Sequence, residues 1–199
     1  MCSRLVKGLD KVRLFAELVE DVANCHGCGL CDGAKNRVNG EGDLDSRVVF
    51  LGEAPGRRED ESGRPFVGSA GKLLDRLLAG AGLSRDKVFI SNVVRCRPPG
   101  NRRPKWSEVE ACSCHIERVL GIIAPRVVAP MGNSAVEFLF ERYRLGEAVI
   151  GDVHGKPVEV EMTWGRVIVF PLYHPAAAIY NRKLLEELEA DMRMLAALL

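Results

Sequence analysis

The sequence has almost no net charge and no long uninterrupted hydrophobic run. Its 199 residues include 28 lysines and arginines against 27 aspartates and glutamates, so the molecule as a whole does not attract a polyanion. The most apolar stretch, residues 119–136, is interrupted by Pro125 and Arg126 and does not match a membrane span of about 20 apolar residues. With 47% hydrophobic residues, the composition also excludes a disordered chain. We expect a single domain over 1–199 that is not bound to a membrane.

The first seven residues lack the apolar core of a signal peptide, and the number of cysteines, seven, is odd. Both features indicate a reducing compartment, so we expect a cytoplasmic protein. In such a compartment cysteines typically bind metals or react, and stable disulfides are rare. The seven cysteines therefore predict a metal site or redox-active thiols.

Two common nucleotide-binding motifs are present only as near misses. Gly71-Lys72 resembles the end of a P-loop, but the position five before Gly71 is Phe66 and no hydroxyl residue follows the lysine. Residues 80–85 begin like a dinucleotide fingerprint but lack its third glycine and follow a predicted helix. The sequence therefore offers no support for an ATP or NAD site.

Strands and helices alternate along the chain. Apolar β-branched runs predict inner strands at 47–51, 87–94, 126–129 and 165–173, with an edge strand at 157–161. Apolar periodicity predicts helices at 10–23, 70–81, 133–142 and 181–199, and Ser107 with Glu110 predicts a further helix opened by a capping box. This order predicts a three-layer α/β/α fold with a central four-stranded, mostly parallel sheet.

Chemically useful residues follow the predicted inner strands. Glu53 lies in the glycine-flanked segment 52–56, Asn92 ends the second strand, residues 131–133 follow the third, and His174 follows the fourth. Because ligands of parallel sheets bind beyond the carboxyl ends of the strands, we expect these segments to converge on one cleft. Taken singly, Glu53 is compatible with a surface charge, and Phe66 and His174 with core packing.

Six of the cysteines form three groups in the chain. Cys25, Cys28 and Cys31 have C-x2-C-x2-C spacing, Cys96 ends a strand, and Cys112 and Cys114 share a helix. Residues two apart on a helix differ by about 200°, so only one of the last two can face a given cluster. Thiolate ligation suits zinc or an iron–sulfur cluster, and buried or redox thiols are the alternative.

Residues 85–105 carry seven basic residues and one acid, a net charge of +6 that leaves −5 for the rest of the chain. A solvated surface is the ordinary explanation of such a run. Here Pro98-Pro99-Gly100-Asn101 predicts a turn that displays the basic groups at the edge of the cleft, where they suit phosphates. The residues of this segment that we predict to contact such phosphates are Arg95, Arg97, Asn101, Arg102 and Arg103.

Together these segments closely resemble the family 4 uracil-DNA glycosylases, the iron–sulfur branch of the uracil-DNA glycosylase superfamily. The matching blocks are GEAPGRREDESGRPFVGSAGKLLD (52–75), SNVVRCRPPGNRRP (91–104), the helix with Cys112, and YHPAA (173–177). The resemblance implies a monofunctional glycosylase that flips uracil out of DNA and hydrolyses its N-glycosidic bond. The product is an abasic site, which initiates base excision repair.

The resemblance also implies roles for single residues. The ligands of a [4Fe-4S] cluster fall on Cys25, Cys28, Cys96 and Cys112, so that the helix and Cys-rich loop of 10–45 form part of the cluster site, and Cys2, Cys31 and Cys114 are spare. The catalytic residues fall on Glu53 and His174, and the uracil pocket on Gly52, Glu53, Phe66, Asn92 and His174. Residues 96–105 contain no histidine, which argues against covalent trapping of the sugar.

The segment after His174 departs from the family. Where family members commonly have two leucines and an arginine that wedge the duplex, this chain has Ala178, Ile179 and Tyr180, and Ile179 or Tyr180 is assigned the wedge. The implied partners are single- or double-stranded uracil-containing DNA and a replication clamp, for a monomer at the nucleoid of a prokaryotic cytoplasm. The rival interpretations are an iron–sulfur electron-transfer module and a zinc-stabilised nucleic-acid-binding protein without catalysis.

Overall fold

A computed structural model describes residues 8–199, with side chains described from Asp10 onward. The prediction that Cys2 is a spare cysteine falls outside these residues. No helix in the described part of the chain is long and apolar enough to cross a membrane.

The centre of the fold is a mixed sheet of six strands in the order β1-β3-β2-β4-β6-β5. The strands are β1 (Glu41–Gly42), β2 (Val48–Gly52), β3 (Phe89–Asn92), β4 (Val127–Pro130), β5 (Val158–Met162) and β6 (Gly165–Val169). The four inner strands run parallel, and β1 and β5 pair antiparallel at the two edges. The predicted α/β class is confirmed, but the predicted count of four strands is wrong. The four inner strands correspond to the four that were predicted, and the two edge strands are additional to that count. Strand β1, at two residues, is too short to produce a periodic pattern in the sequence.

Helices cover both faces of the sheet. They are α1 (Gly8–Ala23), α2 (Arg57–Ser62), α3 (Ser69–Gly80), α4 (Trp106–Ile123), α5 (Asn133–Arg142), α6 (Ile150–Val153), α7 (Pro175–Ala178) and α8 (Arg182–Ala196). Alternate residues of β2 point to opposite sides: Val49 and Leu51 pack with α1, α4 and α5, whereas Val48 and Phe50 pack with α3 and α8. This period of two divides the core into two apolar layers and gives the three-layer architecture.

The predicted capping of α4 is wrong in its details. The helix begins at Trp106, one residue before Ser107, and Lys105 is its N-cap. The carboxylate of Glu108 accepts a hydrogen bond from the Lys105 amide at 2.7 Å and two more from the Arg102 guanidinium. Because Glu108 satisfies a free amide at the start of the helix, no serine cap is needed.

The parallel strands bring their carboxyl ends to one edge. Gly52 at the end of β2 lies directly beside Asn92 at the end of β3, and Met131, just after β4, bridges to Leu172 after β6. The segments that follow these four strands therefore meet at this edge, as the sequence predicted.

Candidate active site

A cleft of about 590 Å³ opens beyond the carboxyl ends of the inner strands. Four side chains predicted from the sequence line it together: Glu53, Phe66, Asn92 and His174. Residues 95–105, which we call the cationic loop, contribute Asn101, Arg102 and Arg103 to its rim. The cleft thus joins a carboxylate, an aromatic ring, an amide and an imidazole to a basic edge.

Asn92 is the most unusual group in the cleft. The residue is 1% exposed, yet neither its side-chain oxygen nor its side-chain nitrogen has a hydrogen-bond partner among the residues that the structure describes. A buried amide without partners costs about 1–3 kcal/mol, so native proteins retain one only where something else satisfies it. Since Asn92 lines the cleft, its free donor and acceptor are positioned for a ligand that offers the complementary pair.

Phe66 is held in place by its backbone. Its φ of 51° is in the left-handed region, where a bulky residue is rare. The Arg85 guanidinium donates to the carbonyls of Pro65 at 2.7 Å and of Phe66 at 3.2 Å. The Glu59 carboxylate accepts from the amides of the next two residues at 2.9 and 2.8 Å. These contacts fix the ring in the cleft wall, and the sequence reasoning missed both Arg85 and Glu59 in this role.

His174 is present as the neutral imidazole with a defined tautomer. It caps α7, and its Nδ1 accepts a hydrogen bond from the Ala176 amide at 3.1 Å. The proton of the neutral ring is therefore on Nε2. Burial lowers the pKa of His174 to about 4, and the nearby Glu59 charge opposes this shift only in part. At neutral pH the ring is a hydrogen-bond donor without a positive charge, 5.7 Å from the Phe66 ring between centroids.

Glu53 has a partner that the sequence reasoning did not identify. Its Oε2 accepts a hydrogen bond from the hydroxyl of Ser134, in the first turn of α5. Gly132, with a φ of 84°, makes the turn that brings this serine against the carboxylate. The segment 131–133 was predicted to face the cleft, so the next residue along the chain was the available signal. Ser134 orients the carboxylate and leaves its other oxygen available to the cleft.

Gly52 is needed because of close packing at the base of the cleft. A Cβ at this position would lie 2.5 Å from Asn92 Oδ1 and 2.6 Å from Phe66 Cζ. We expect Gly52→Ala to displace both groups, lowering the catalytic efficiency about 10- to 100-fold and the stability by about 1–3 kcal/mol. Steady-state kinetics and thermal unfolding measure the two effects.

Gly80→Ala is the matched control for this substitution, because a Cβ at Gly80 meets no atom of the described residues within 4 Å. We expect it to leave both activity and stability near those of the unsubstituted protein. Equal effects of the two substitutions would contradict the packing explanation of Gly52.

The predicted DNA contacts require one correction. Arg95 is 1% exposed and points into the protein, where its Nη1 donates to Ser91 Oγ and to the Asn39 carbonyl. Because it is buried, Arg95 cannot reach DNA. The prediction failed because a count of charges along the chain does not show which side chains turn inward. The other four predicted contacts, Arg97, Asn101, Arg102 and Arg103, are half-buried or exposed.

The two wedge candidates differ in exposure. Tyr180 is 98% exposed, whereas Ile179 is half-buried and packs against the core layer that contains α3 and α8. Both follow α7, whose residue Ala176 lines the cleft.

The cysteines predicted as cluster ligands lie around one small, mostly apolar cavity. Cys25, Cys28, Cys96 and Cys112 all line it, and so does Cys31, whereas Cys114 is exposed. His115 Nε2 lies 3.3 Å from Cys25 Sγ. Burial raises the pKa of Cys96 to about 12, so a metal centre there would have to displace its proton. In the part of the chain that the structure describes, no three His, Cys, Asp or Glu side chains converge closely enough to hold a single metal ion.

The buried Arg95 guanidinium supplies a test of whether an anionic centre fits this cavity. Arg95 also lines the cavity, and its Nε and Nη2 are buried with no partner among the described side chains and backbone. A buried cation is costly unless a negative group compensates it. Thiolates bound to a metal cluster would provide both the charge and the acceptors. The donor set and the two partnerless nitrogens of Arg95 therefore fit a thiolate-ligated cluster.

Residues 39–196, which include the sheet and the residues of the cleft, match the model of the uracil DNA glycosylase superfamily. The chain belongs to this superfamily. Within it the chain belongs to the type-4 uracil-DNA glycosylases, as the sequence analysis predicted. It is 43% identical over 182 residues to the type-4 uracil-DNA glycosylase of Archaeoglobus fulgidus, covering 92% of each chain.

Two further relatives place the chain among its neighbours. The type-4 uracil-DNA glycosylase of Sulfurisphaera tokodaii is 42% identical over 183 residues, which cover 92% of this chain and 83% of the relative. A type-5 uracil-DNA glycosylase of Thermus thermophilus is 35% identical over 133 residues, which cover 59% of this chain and 60% of the relative. The similarity to the type-4 enzymes is thus both higher and more complete.

Proposed function

We propose that this protein is a uracil-DNA glycosylase that hydrolyses the N-glycosidic bond of deoxyuridine in DNA and leaves an abasic site. The observation that carries the proposal is the Asn92 amide, which is buried without a partner in the described part of the chain, in a cleft shared with Phe66, His174 and Glu53. Membership of the type-4 family supports the same activity.

Recognition of uracil would use the two free groups of Asn92. The uracil edge offers an acceptor at O4 and a donor at N3, and a single amide supplies the matching donor and acceptor. With Nδ2 of Asn92 directed at the O4 position, cytosine would place its amino donor against another donor, a mismatch that a polar site rejects strongly. The Phe66 ring supplies the stacking surface. The base must leave the helix to reach this position, at a cost that is least for single-stranded or mispaired uracil.

Cleavage moves an electron pair from the glycosidic bond to uracil N1, so positive charge develops on the sugar and negative charge on the base. In the proposed reaction Glu53 stabilises the sugar cation and orients the water that adds to C1′, accepting its proton. The Nε2–H of His174 donates to uracil O2 as the base becomes anionic. A neutral donor suits this task, because its hydrogen bond strengthens as the charge develops.

The cysteine cavity would hold a [4Fe-4S] cluster through Cys25, Cys28, Cys96 and Cys112. Its role would be structural, joining the loop after α1 to the cationic loop and to α4, with Arg95 as the buried countercharge. Cys31, which lines the same cavity, would be a fifth thiol beside the four ligands. An iron–sulfur redox module has no evident need for the groups in the cleft, and for this reason we favour the enzyme.

The DNA backbone would follow the rim formed by the cationic loop. Arg97 is tied to Asn101 by a 2.6 Å hydrogen bond, and Arg102 and Arg103 are paired with Glu108 and Glu137. These pairs hold the loop in an ordered shape that presents basic groups to phosphates. Between the two wedge candidates we favour Tyr180, because Ile179 is already committed to the core.

The low pKa of His174 has a consequence for stability. An unfolded histidine gains its proton near pH 6.5, whereas the native His174 stays neutral down to about pH 4. The unfolded state therefore binds more protons in this window, and stability falls as the pH drops from about 6.5 towards 4. We expect His174→Gln to remove this loss, so that the wild type is destabilised relative to the variant across the window. Denaturant unfolding of both proteins at several pH values measures the difference, and a constant difference would contradict the assignment.

The proposed function is tested by the product. A single-stranded oligonucleotide with one deoxyuridine should yield free uracil and a strand that breaks only after alkali treatment. Strand scission without alkali would indicate a different reaction. Release of uracil by Glu53→Gln at the wild-type rate would contradict the assigned chemistry.

A further inference from the structure

A second, smaller pocket of about 250 Å³ adjoins the cleft on the far side of Glu53. It shares Glu53, Ser134 and Arg103 with the cleft, so the two spaces have a common wall. Its remaining walls come from the end of the cationic loop, the start of α4, the segment after β3 and helix α5. The lining residues are Val93, Pro104, Trp106, Val109 and Glu137.

Trp106 gives this pocket its character. Trp106 is the first residue of α4 and is 38% exposed. Among the described residues, the large exposed hydrophobic side chains include two aromatic ones, Trp106 and Tyr180. Both belong to segments that border the cleft. An exposed aromatic ring beside a nucleic-acid site is the usual platform on which an unpaired base stacks.

The charges of the pocket suit a neutral base better than a phosphate. Two carboxylates line it, and Glu53 would repel a phosphate, whereas a base carries no net charge. The other carboxylate, Glu137, is paired with the Arg103 guanidinium. The apolar walls from Val93 and Val109, which are both buried, offer little to a charged group.

We propose that this pocket is a subsite for the nucleobase that neighbours the extruded uracil, with Trp106 as the stacking surface. The inference rests on the proposed function and adds a second contact with the substrate strand. It places the flanking base against the indole while the uracil occupies the cleft on the other side of Glu53. The subsite favours strands whose flanking base is free to unstack, and thus single-stranded over fully paired substrate.

The chain allows a direct optical test, because it contains two tryptophans. Trp164 is in the turn between β5 and β6 and donates to the Pro125 carbonyl just before β4, at the edge of the sheet opposite the cleft. In Trp164→Phe the only indole is Trp106. We expect its fluorescence to be quenched by a single-stranded oligonucleotide that contains non-cleavable 2′-fluoro-2′-deoxyuridine. Trp106→Phe, which keeps only Trp164, should show no change. Binding of the oligonucleotide without quenching in Trp164→Phe would overturn the proposal.

A kinetic test identifies the occupant. Trp106→Ala should raise KM for single-stranded substrate about 5- to 100-fold with little change in kcat. Trp106→Phe, which keeps an aromatic ring, should have a KM much closer to that of the wild type. An abasic analogue at one of the two positions next to the uracil, 5′ or 3′, should raise KM of the wild type by the same factor. At that position it should cause no further rise in KM of Trp106→Ala. An equal loss in both enzymes at both positions would overturn the subsite. Failure of the wild type to release uracil from any substrate would instead overturn the proposed function.

Discussion

Replacing Asn92 with leucine is expected to lower kcat/KM for uracil release about 100- to 1,000-fold while raising the free energy of unfolding. Leucine has nearly the size of asparagine but cannot pair with the uracil edge. In the free protein the Asn92 amide is buried and has no partner within residues 10–199, so the substitution removes a desolvation cost of about 1–3 kcal/mol. Opposite changes in activity and stability are typical of a residue retained for its ligand. Single-turnover kinetics and urea unfolding measure the two quantities.

Ser91→Ala is the matched control, one residue earlier on the same strand. Ser91 is fully buried, and its hydroxyl donates to the Asn39 carbonyl at 3.2 Å and accepts from Arg95. Removing a satisfied buried hydroxyl should cost about 1–3 kcal/mol of stability. A loss of stability in Asn92→Leu as large as in Ser91→Ala would show that Asn92 is structural, and would contradict the account.

Glu53→Gln is expected to lower kcat about 100- to 10,000-fold with a much smaller change in KM. The amide keeps the size of the carboxylate and can still accept from Ser134, but it cannot balance positive charge on the sugar. Because the substrate sugar is uncharged before cleavage, the missing charge is felt mainly in the transition state. Pre-steady-state kinetics on a single-stranded substrate separate binding from cleavage.

Ser134→Ala separates the charge of Glu53 from its orientation. The variant keeps the carboxylate and removes the hydroxyl that holds it. We expect a loss of about 10-fold, the size of one ordinary hydrogen bond. If Glu53→Gln were no more damaging than Ser134→Ala, the negative charge would not be the essential property.

The sequence predicted the residues of the cleft because the carboxyl ends of neighbouring parallel strands lie at the same edge of a sheet. Short β-branched runs located β2, β3 and β4, and the residues that follow them had to meet at one edge. Individual side-chain directions were less accessible. Arg95 belongs to the same basic run as Arg97 but turns inward, because a loop has no fixed period that separates its two faces. Strand β1 and the Ser134 contact depend on approaches between distant segments, which local pattern does not encode.

The same distinction applies to Trp106. The residues on either side of it are polar, and nothing in the local pattern distinguishes Trp106 from an ordinary residue at the start of a helix. Only the packing of α4 beside the segment after β3 brings the indole next to Glu53. Spatial continuity with the cleft is therefore what identifies it as a candidate contact with the substrate.

The central claim is that the cleft binds an extruded uracil and that the protein hydrolyses its bond to the sugar. The most direct measurement is mass-spectrometric detection of the free base released from matched oligonucleotides that contain uracil, thymine or cytosine at one position. We predict uracil from the first substrate, no base from the other two, and loss of the uracil signal in Asn92→Leu and Glu53→Gln. Release of cytosine or thymine at a rate similar to uracil, or no release of uracil by the wild type, would contradict it.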